Sequence, residues 1–271
     1  MRLATARIDG RTRAVRVTAE GYADLGEPDV GTLLARDDWA TVEAGEPLSP
    51  DSLAPVVPHP GKVLCVGLNY RNHILEMGRE LPEYPTLFAK FADALIGARE
   101  PIELAPESAA VDWEAELAIV IGSTVRRASE QEAAAAIAGF TVMNDVTMRD
   151  WQFRTKEWLQ GKTFEGTTPL GPVLVTPDEL PGGVRPKLAM TCTVNGEVMQ
   201  KTDTSDLVFD PVALVRYASV ITTLRPGDVI ATGTPGGVGH ARKPARYLAD
   251  GDVVVTEIAG IGRLENVARS M

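Results

Sequence analysis

Cysteine is scarce in this chain, and what there is does not pair. Only two cysteines, Cys65 and Cys192, occur among 271 residues, with no CxxC pair and no zinc-ligand spacing. Each lies in an apolar or strand-like run, Val63-Leu64-Cys65-Val66 and Met190-Thr191-Cys192-Thr193, so both read as buried free thiols in a reducing compartment. A disulfide scaffold and a zinc module are set aside on that ground. No apolar run approaches the roughly 20 residues of a membrane span, and Met1-Arg2-Leu3-Ala4-Thr5 opens a strand pattern where a signal peptide would have its apolar core. The expectation is a cytoplasmic protein without a membrane partner. A basic stripe is missing as well: 27 Lys and Arg face 37 Asp and Glu, for a formal net charge of -10, which argues against nucleic-acid binding. An anionic substrate would therefore need a cation or a few basic side chains to overcome the overall field locally. Regular strand–helix alternation is absent, as are the GxGxxG fingerprint and a Gly-Lys-Ser/Thr phosphate loop, so a doubly wound nucleotide-binding sheet is not expected.

What is present reads mainly as strands. Residues 1–17 alternate around Asp9-Gly10, a short-turn signal. A short helix is expected near Val30–Arg36, and the turn-rich stretch Val56-Val57-Pro58-His59-Pro60-Gly61 ends a small N-terminal segment. Strands are expected over Val63–Leu68, Val111–Ile121, Phe140–Asn144, Asp228–Thr232 and Asp252–Ile258. Asn195-Gly196 predicts a hairpin turn between Leu188–Val194 and Glu197–Lys201. Ser129 followed by Glu132 is a capping box, opening a helix through the alanine run to Ala138, and Asp210–Val220 is a second helix. The pattern predicts a β-rich α+β fold with two parts, a β/α segment at 1–57 and a catalytic domain at 58–271.

Three groups of residues carry chemistry. In Trp113-Glu114-Ala115-Glu116-Leu117, residues two apart on a strand face one side, so Glu114 and Glu116 stand together on a face that continues as Ala118 and Val120. Two adjacent buried carboxylates repel each other and lose hydration, and a divalent cation relieves both problems. Carboxylate ligands without cysteine favour a hard ion, Mg2+, Mn2+ or Ca2+. Asp145 ends the apolar run Thr141-Val142-Met143-Asn144 and is placed as a third ligand, a position that would equally suit a helix N-cap. His73 and Glu76 are i and i+3 on a helix, which makes His73 a carboxylate-oriented general base, or else a surface pair. Lys162 in Gly161-Lys162-Thr163-Phe164-Glu165, and the loop Gly233-Thr234-Pro235-Gly236-Gly237-Val238-Gly239, could hold a carboxylate through an ammonium, backbone amides and a hydroxyl.

In order, Val66-Gly67-Leu68-Asn69-Tyr70, His73-Ile74-Leu75-Glu76, Pro85–Lys90, Asp112–Leu117, Asn144–Gln152, Gly161–Phe164, Pro169–Pro172, Asn195–Gln200 and Gly233–Gly239 resemble the fumarylacetoacetate hydrolase family, over roughly residues 61–260. The resemblance implies a rolled mixed sheet with a small N-terminal appendage, a homodimer, and a Mg2+ or Mn2+ site on Glu114, Glu116 and Asp145. It implies His73 and Glu76 as the catalytic dyad, and substrate contacts from Arg149, Gln152, Lys162 and Thr234. Glu165 departs from the family's usual Asp, and the short N-terminal segment departs from the larger domain of the eukaryotic namesake.

These parts suit a small keto acid. The cation acts as a Lewis acid on the substrate oxygen, so that an enolate becomes an accessible leaving group. His73 activates water against the distal carbonyl, and Lys162 stabilises developing charge. The first expectation is a hydrolase that cleaves a C–C bond in an acylpyruvate-type 1,3-diketo acid. An isomerase or decarboxylase of a related 2-oxo or 2-hydroxydienoic acid, or of oxaloacetate, would use the same enolate. A metal-stabilised binding subunit without catalysis is the rival from another class.

Overall fold

Apolar residues alternating on either side of Asp9-Gly10 form an antiparallel hairpin of Arg2–Ile8 and Arg11–Thr18. Both turn residues take the positive φ that such a tight connection requires, 48° at Asp9 and 73° at Gly10. The computed structural model, which describes residues 1–76 and 78–271, joins this hairpin to a twelve-stranded mixed sheet, where Arg2–Ile8 runs antiparallel to Thr168–Val175. From Thr168–Val175 the sheet continues through Ile137–Asn144, Ala115–Ile121, Val229–Ala231, Val63–Gly67 and Thr86–Lys90. A five-stranded sheet is ordered Glu197–Asp203, Ala189–Val194, Val253–Ile258, Gly262–Ser270, Ile102–Leu104. The architecture is the expected β-rich α+β class.

The central strand Ala115–Ile121 is buried on both faces. Leu117, Ile119 and Ile121 enter one apolar cluster, while Ala118 and Val120 enter the other. This is why it reads as a continuous apolar run where a half-exposed strand would alternate. The helix Pro211–Ile221 is capped by Asp210, whose side chain accepts from Ala213 N–H, and it packs beside Glu130–Ala135. No helix among the described residues is long and apolar enough to cross a membrane.

Several expected boundaries move, three of them for reasons the contacts make plain. The strand expected over Val111–Ile121 is two strands, Val111–Asp112 and Ala115–Ile121. Side chains interrupt it: Asp112, Asn144 and Gln200 accept from the backbone N–H groups of Trp113, Glu114 and Ala115 at 2.8, 2.9 and 2.9 Å. The helix opened by the Ser129 capping box ends at Ala135, short of Ala138, because Ile137 already pairs with Ile121 in the sheet. Tertiary pairing there overrides alanine's helix preference. The strand at Val63 ends at Gly67, since Leu68 takes a φ of 55° and turns the chain into the helix Arg71–Glu76. Thr168–Val175 was not expected as a strand. It carries Pro169, Gly171 and Pro172, which are poor strand formers, and is held by neighbours on both sides.

Gly139 lies within Ile137–Asn144, where a Cβ would run into the Val175 carbonyl oxygen of the next strand. Gly139→Ala should lower stability by about 1–3 kcal/mol. The readout is a reduced urea midpoint at unchanged slope; a parental midpoint would contradict the close approach.

Candidate active site

Four neighbouring strands deliver the site by their ends. Ile137–Asn144 runs antiparallel to Ala115–Ile121 with Asn144 opposite Ala115, so Asp145 follows one strand where Glu114 precedes the other. Asp145 N–H donates to the Glu114 carbonyl at 2.8 Å, fixing the two side by side. Val229–Ala231 is antiparallel to Ala115–Ile121 and parallel to Val63–Gly67, so Gly233-Thr234 and the Leu68–His73 segment leave the sheet at that same end. Residues far apart in sequence thus meet because strand polarity brings alternate ends together.

The three expected carboxylates meet. Glu114, Glu116 and Asp145 are buried, and each offers an oxygen within 4.8 Å of the others. Glu114 precedes its strand and does not lie within it, yet it still faces Glu116. Lys162, 2% exposed, donates to Glu114 Oε2 and Asp145 Oδ2, both at 2.7 Å. Arg149 Nη2 lies 2.7 Å from Glu114 Oε1 as an ion pair without hydrogen-bond alignment. Lys90, which the sequence did not single out as a site residue, donates to Asp145 Oδ1 at 2.7 Å and to the Val146 carbonyl at 3.0 Å. Among the described residues no basic side chain forms an ion pair with Glu116; its Oε2 accepts only from Gly233 N–H, at 2.7 Å.

The electrostatics follow this pairing. Burial, with Asp145 and Glu114 adding repulsion, pushes the Glu116 carboxyl well above the usual carboxylate range. Burial also works against Asp145, but Lys162 and Lys90 outweigh it and hold that carboxyl low. Burial would depress Lys162, yet Asp145 and Glu114 raise it, so it stays an ammonium. An all-oxygen donor set with one carboxylate short of a cation fits a hard divalent ion. Glu114, Glu116 and Asp145 are the residues that could hold it.

Above this cluster lies a cavity of about 370 Å³ whose wall includes His73, Glu114, Arg149, Gln152, Lys162 and Thr234. Six of the ten sequence-derived candidates therefore line one space, while Glu76, Glu116, Asp145 and Gly233 lie outside its lining. His73 and Glu76 share the helix Arg71–Glu76, and a Cβ built on Gly236 would lie 3.0 Å from His73 Nδ1 and 3.6 Å from Glu76 Oε2. Both thus flank the glycine loop, although no hydrogen bond links them among the described residues. Burial lowers the His73 pKa, which Glu76 only partly offsets, so the imidazole is neutral at neutral pH. Arg149 donates to Asp112 Oδ2 at 2.8 Å and to Gln152 Oε1 at 2.9 Å. Gly233, buried, spends its N–H on Glu116, and so anchors the loop to the cluster. Glu165 is exposed and does not line the cavity.

The organising polar residues behind the site were missed. Asp112 accepts from Arg149 and also from the N–H groups of Gly239 and His240, at 2.7 and 2.9 Å. Gln200, on the five-stranded sheet, donates to Thr234 Oγ1 at 2.8 Å and to the Pro235 carbonyl at 3.0 Å. Asn144 reaches across to Thr256 Oγ1 at 2.9 Å. A buried amide or acid inside an apolar strand run was the available signal for each.

Because Glu116 must take up a proton to fold without a cation, it lowers cation-free stability increasingly as pH rises above its unfolded-state pKa. Glu116→Gln should therefore be at least as stable as the parent at pH 7 in chelator. It should also bind Mn2+ more than about ten-fold more weakly. Thermal melts with and without Mn2+, together with calorimetric titration, check both. An undiminished Mn2+ response in the variant would remove Glu116 from the ligand set.

Comparison with known proteins gives the family. Residues 62–269 match the family model described as fumarylacetoacetate (FAA) hydrolase C-terminal. The chain is 45% identical over 216 residues to the mitochondrial oxaloacetate tautomerase fahd2 of Xenopus laevis, covering 79% of this chain and 67% of that protein. It is 48% identical to the mitochondrial oxaloacetate tautomerase FAHD2A of Bos taurus, covering 79% and 68%. Among solved structures it resembles the fumarylacetoacetate hydrolase of Exiguobacterium antarcticum, with TM-score 0.87, 33% identity and full coverage of both chains. It also resembles the 5-carboxymethyl-2-hydroxymuconate delta-isomerase of Mycobacterium smegmatis, with TM-score 0.83, 32% identity and full coverage of both. The chain belongs to the fumarylacetoacetate hydrolase family and is an enzyme.

Proposed function

We propose that this enzyme moves a proton at the carbon beside the carbonyl of a small 2-oxo dicarboxylic acid, as a keto–enol tautomerase of the oxaloacetate type. The observation that carries it is a neutral, half-buried His73 on the wall of a cavity lined also by Glu114 of the acidic triad and by Lys162 and Arg149. The names of the Xenopus and Bos relatives support the choice of reaction.

The roles follow from placement. A divalent ion on Glu114, Glu116 and Asp145, Mg2+ or Mn2+, with Ca2+ an acceptable substitute by ligand chemistry, supplies Lewis-acid stabilisation of negative charge on the substrate oxygen. Arg149, aimed by Asp112 and Gln152, binds the carboxylate of the 2-oxo acid. Thr234 and the Gly233 segment orient that end through a loop already held by Gln200. Lys162, kept protonated, balances charge that develops on the carbonyl oxygen. His73 takes the proton from the carbon and returns it to the oxygen, so that no proton is gained or lost overall. Glu76 favours the protonated imidazole in between.

A second reading, hydrolysis of an acylpyruvate, draws on the same His73–Glu76 pair flanking Gly236, with water as the species His73 deprotonates. It needs C–C cleavage after the shared first event, and an isomerase or a decarboxylase of oxaloacetate would also share that event. We place the catalytic machinery wholly within 58–271, since every cavity residue lies from Val66 onward. On the family likeness alone we carry a homodimer. The free, buried Cys65 and Cys192 fit a reducing compartment, cytoplasm or mitochondrion alike.

His73→Gln should lower turnover of oxaloacetate enol by about 10²–10⁴-fold while leaving Mn2+ affinity unchanged. In the parent, kcat/KM should fall as pH drops through the His73 pKa, which burial sets below its ordinary value, and the variant should lose that limb. Following enol absorbance on oxaloacetate and on an acylpyruvate in parallel separates the reactions. Release of pyruvate and a free acid from the acylpyruvate, with oxaloacetate untouched, would replace tautomerisation by hydrolysis.

A further inference from the structure

We infer that His240 is a second anion-reading point in the cavity, built to donate to the far carboxylate of a 2-oxo dicarboxylic acid. This rests on the proposed function and deepens it by naming what selects the substrate class.

His240 lines the same cavity as Glu114, Arg149 and Lys162, yet it belongs to neither the acidic cluster nor the His73 helix. Although exposed, it is held from three directions. Its backbone N–H donates to Asp112 Oδ2 at 2.9 Å, the same oxygen that receives Arg149 Nε at 2.8 Å. Its ring Nδ1 lies 2.8 Å from the Tyr247 hydroxyl, and its ring face rests against Phe153 with centroids 5.3 Å apart.

The turn that presents it is closed on itself. Arg242 N–H and Arg246 N–H both donate to the Gly239 carbonyl, at 3.2 and 3.0 Å. A Cβ on Gly239 would collide with the Arg246 carbonyl oxygen and approach Asp112 Oδ1 at 2.9 Å, so only glycine fits immediately before the histidine. An exposed side chain fixed this thoroughly has already lost the rotamer freedom that ligand binding would otherwise cost.

The chemistry of the ring then follows. In the tautomer in which Nδ1 accepts from the Tyr247 hydroxyl, the ring proton is on Nε2, which is then a donor. Arg79 lines the cavity too and, among the described residues, forms no ion pair, so its positive potential also favours an anion there. One carboxylate of the substrate is read by Arg149, aimed through Asp112. The other is read by His240, whose backbone the same Asp112 holds, so one buried acid sets the register between the two readers.

The test compares two stable acids of equal length, 2-oxoglutarate and 2-oxopentanoate, which differ in the far carboxylate. Binding to Mn2+-loaded full-length protein is measured by titration calorimetry. The parent should prefer 2-oxoglutarate by about ten-fold, the scale of one partly exposed hydrogen bond to a charged group. His240→Ala should bring the ratio close to one with 2-oxopentanoate affinity unchanged, and His240→Gln should restore part of the preference. No preference in the parent, a preference surviving His240→Ala, or equal weakening of both acids would overturn the inference. Oxaloacetate tautomerisation by the parent is scored separately. Its absence alongside a His240-dependent preference would remove the proposed reaction and leave the anion-reading point standing.

Discussion

Carboxylate crowding in a buried space is the constraint on which the site depends. Four acids, Asp112, Glu114, Glu116 and Asp145, share the interior with three cations, Lys90, Lys162 and Arg149. Fully ionised, that cluster would carry one uncompensated negative charge where water cannot reach it, an arrangement a low-dielectric interior does not tolerate. The odd acid is Glu116, the one without an ion-pair partner, and its carboxyl is the one burial and repulsion drive upward. Protonated, it leaves the cluster neutral. Ionised beside a divalent cation, the cluster carries one excess positive charge, which suits an incoming carboxylate. A chain of net charge -10 thereby presents an anion-attracting floor.

The fold meets this constraint through strand polarity and through side chains that cross between sheets. Antiparallel neighbours put Glu114 and Asp145 on adjacent strand ends, and no local sequence motif could do so across thirty intervening residues. Gln200 and Asn144 then tie the Glu114–Glu116 stretch to the five-stranded sheet and to the glycine loop. Cys65 lies near enough for Asp145 and Glu116 to influence it, but burial first and those carboxylates second keep it a thiol. A protonated thiol is a poor metal ligand, so the donor set stays all-oxygen and hard.

The sequence made the carboxylate cluster and the His73–Glu76 pair legible because their chemistry is local. Glu114 and Glu116 announce themselves as paired acids in an apolar stretch, Asp145 as an acid ending another, and His73 and Glu76 by helical spacing. Hairpins were legible for a similar reason, since Asp9-Gly10 and Asn195-Gly196 demand positive φ at both positions. What stayed hidden depends on distant partners. The break at Trp113-Glu114 exists because Asn144 and Gln200 reach in from elsewhere. Lys90 looks like the end of an ordinary strand until Asp145 is placed beside it. The alanine run overstated its helix, because Ile137 is claimed by the sheet. Thr168–Val175 hid behind two prolines whose lost backbone donors its neighbours tolerate.

Division of labour within the cavity explains how one scaffold serves related reactions. In the proposed reaction the acidic cluster, Lys162 and Arg149 would stabilise an enolate, a task that a tautomerase, isomerase, decarboxylase or hydrolase acting on a 2-oxo acid would share. What happens next depends on the walls, and these come from other segments: Phe88 and Trp158 packed edge to face at 5.3 Å, Val238 on the glycine loop, and Phe153 against His240. Those walls are fitted closely. Gly67 has no room for a Cβ because the Trp158 ring occupies that space, and Leu68 beside it holds a left-handed backbone that a β-branched side chain would resist. Substitution on the walls can therefore change the shape of the cavity without disturbing the charge balance beneath. The reverse does not hold, because removing any charge of the cluster other than that of Glu116 unbalances the remaining buried ion pairs. Differences in reaction among such sites would turn on wall residues such as Phe153, Trp158 and His240, which fall outside the stretches that carry the family resemblance.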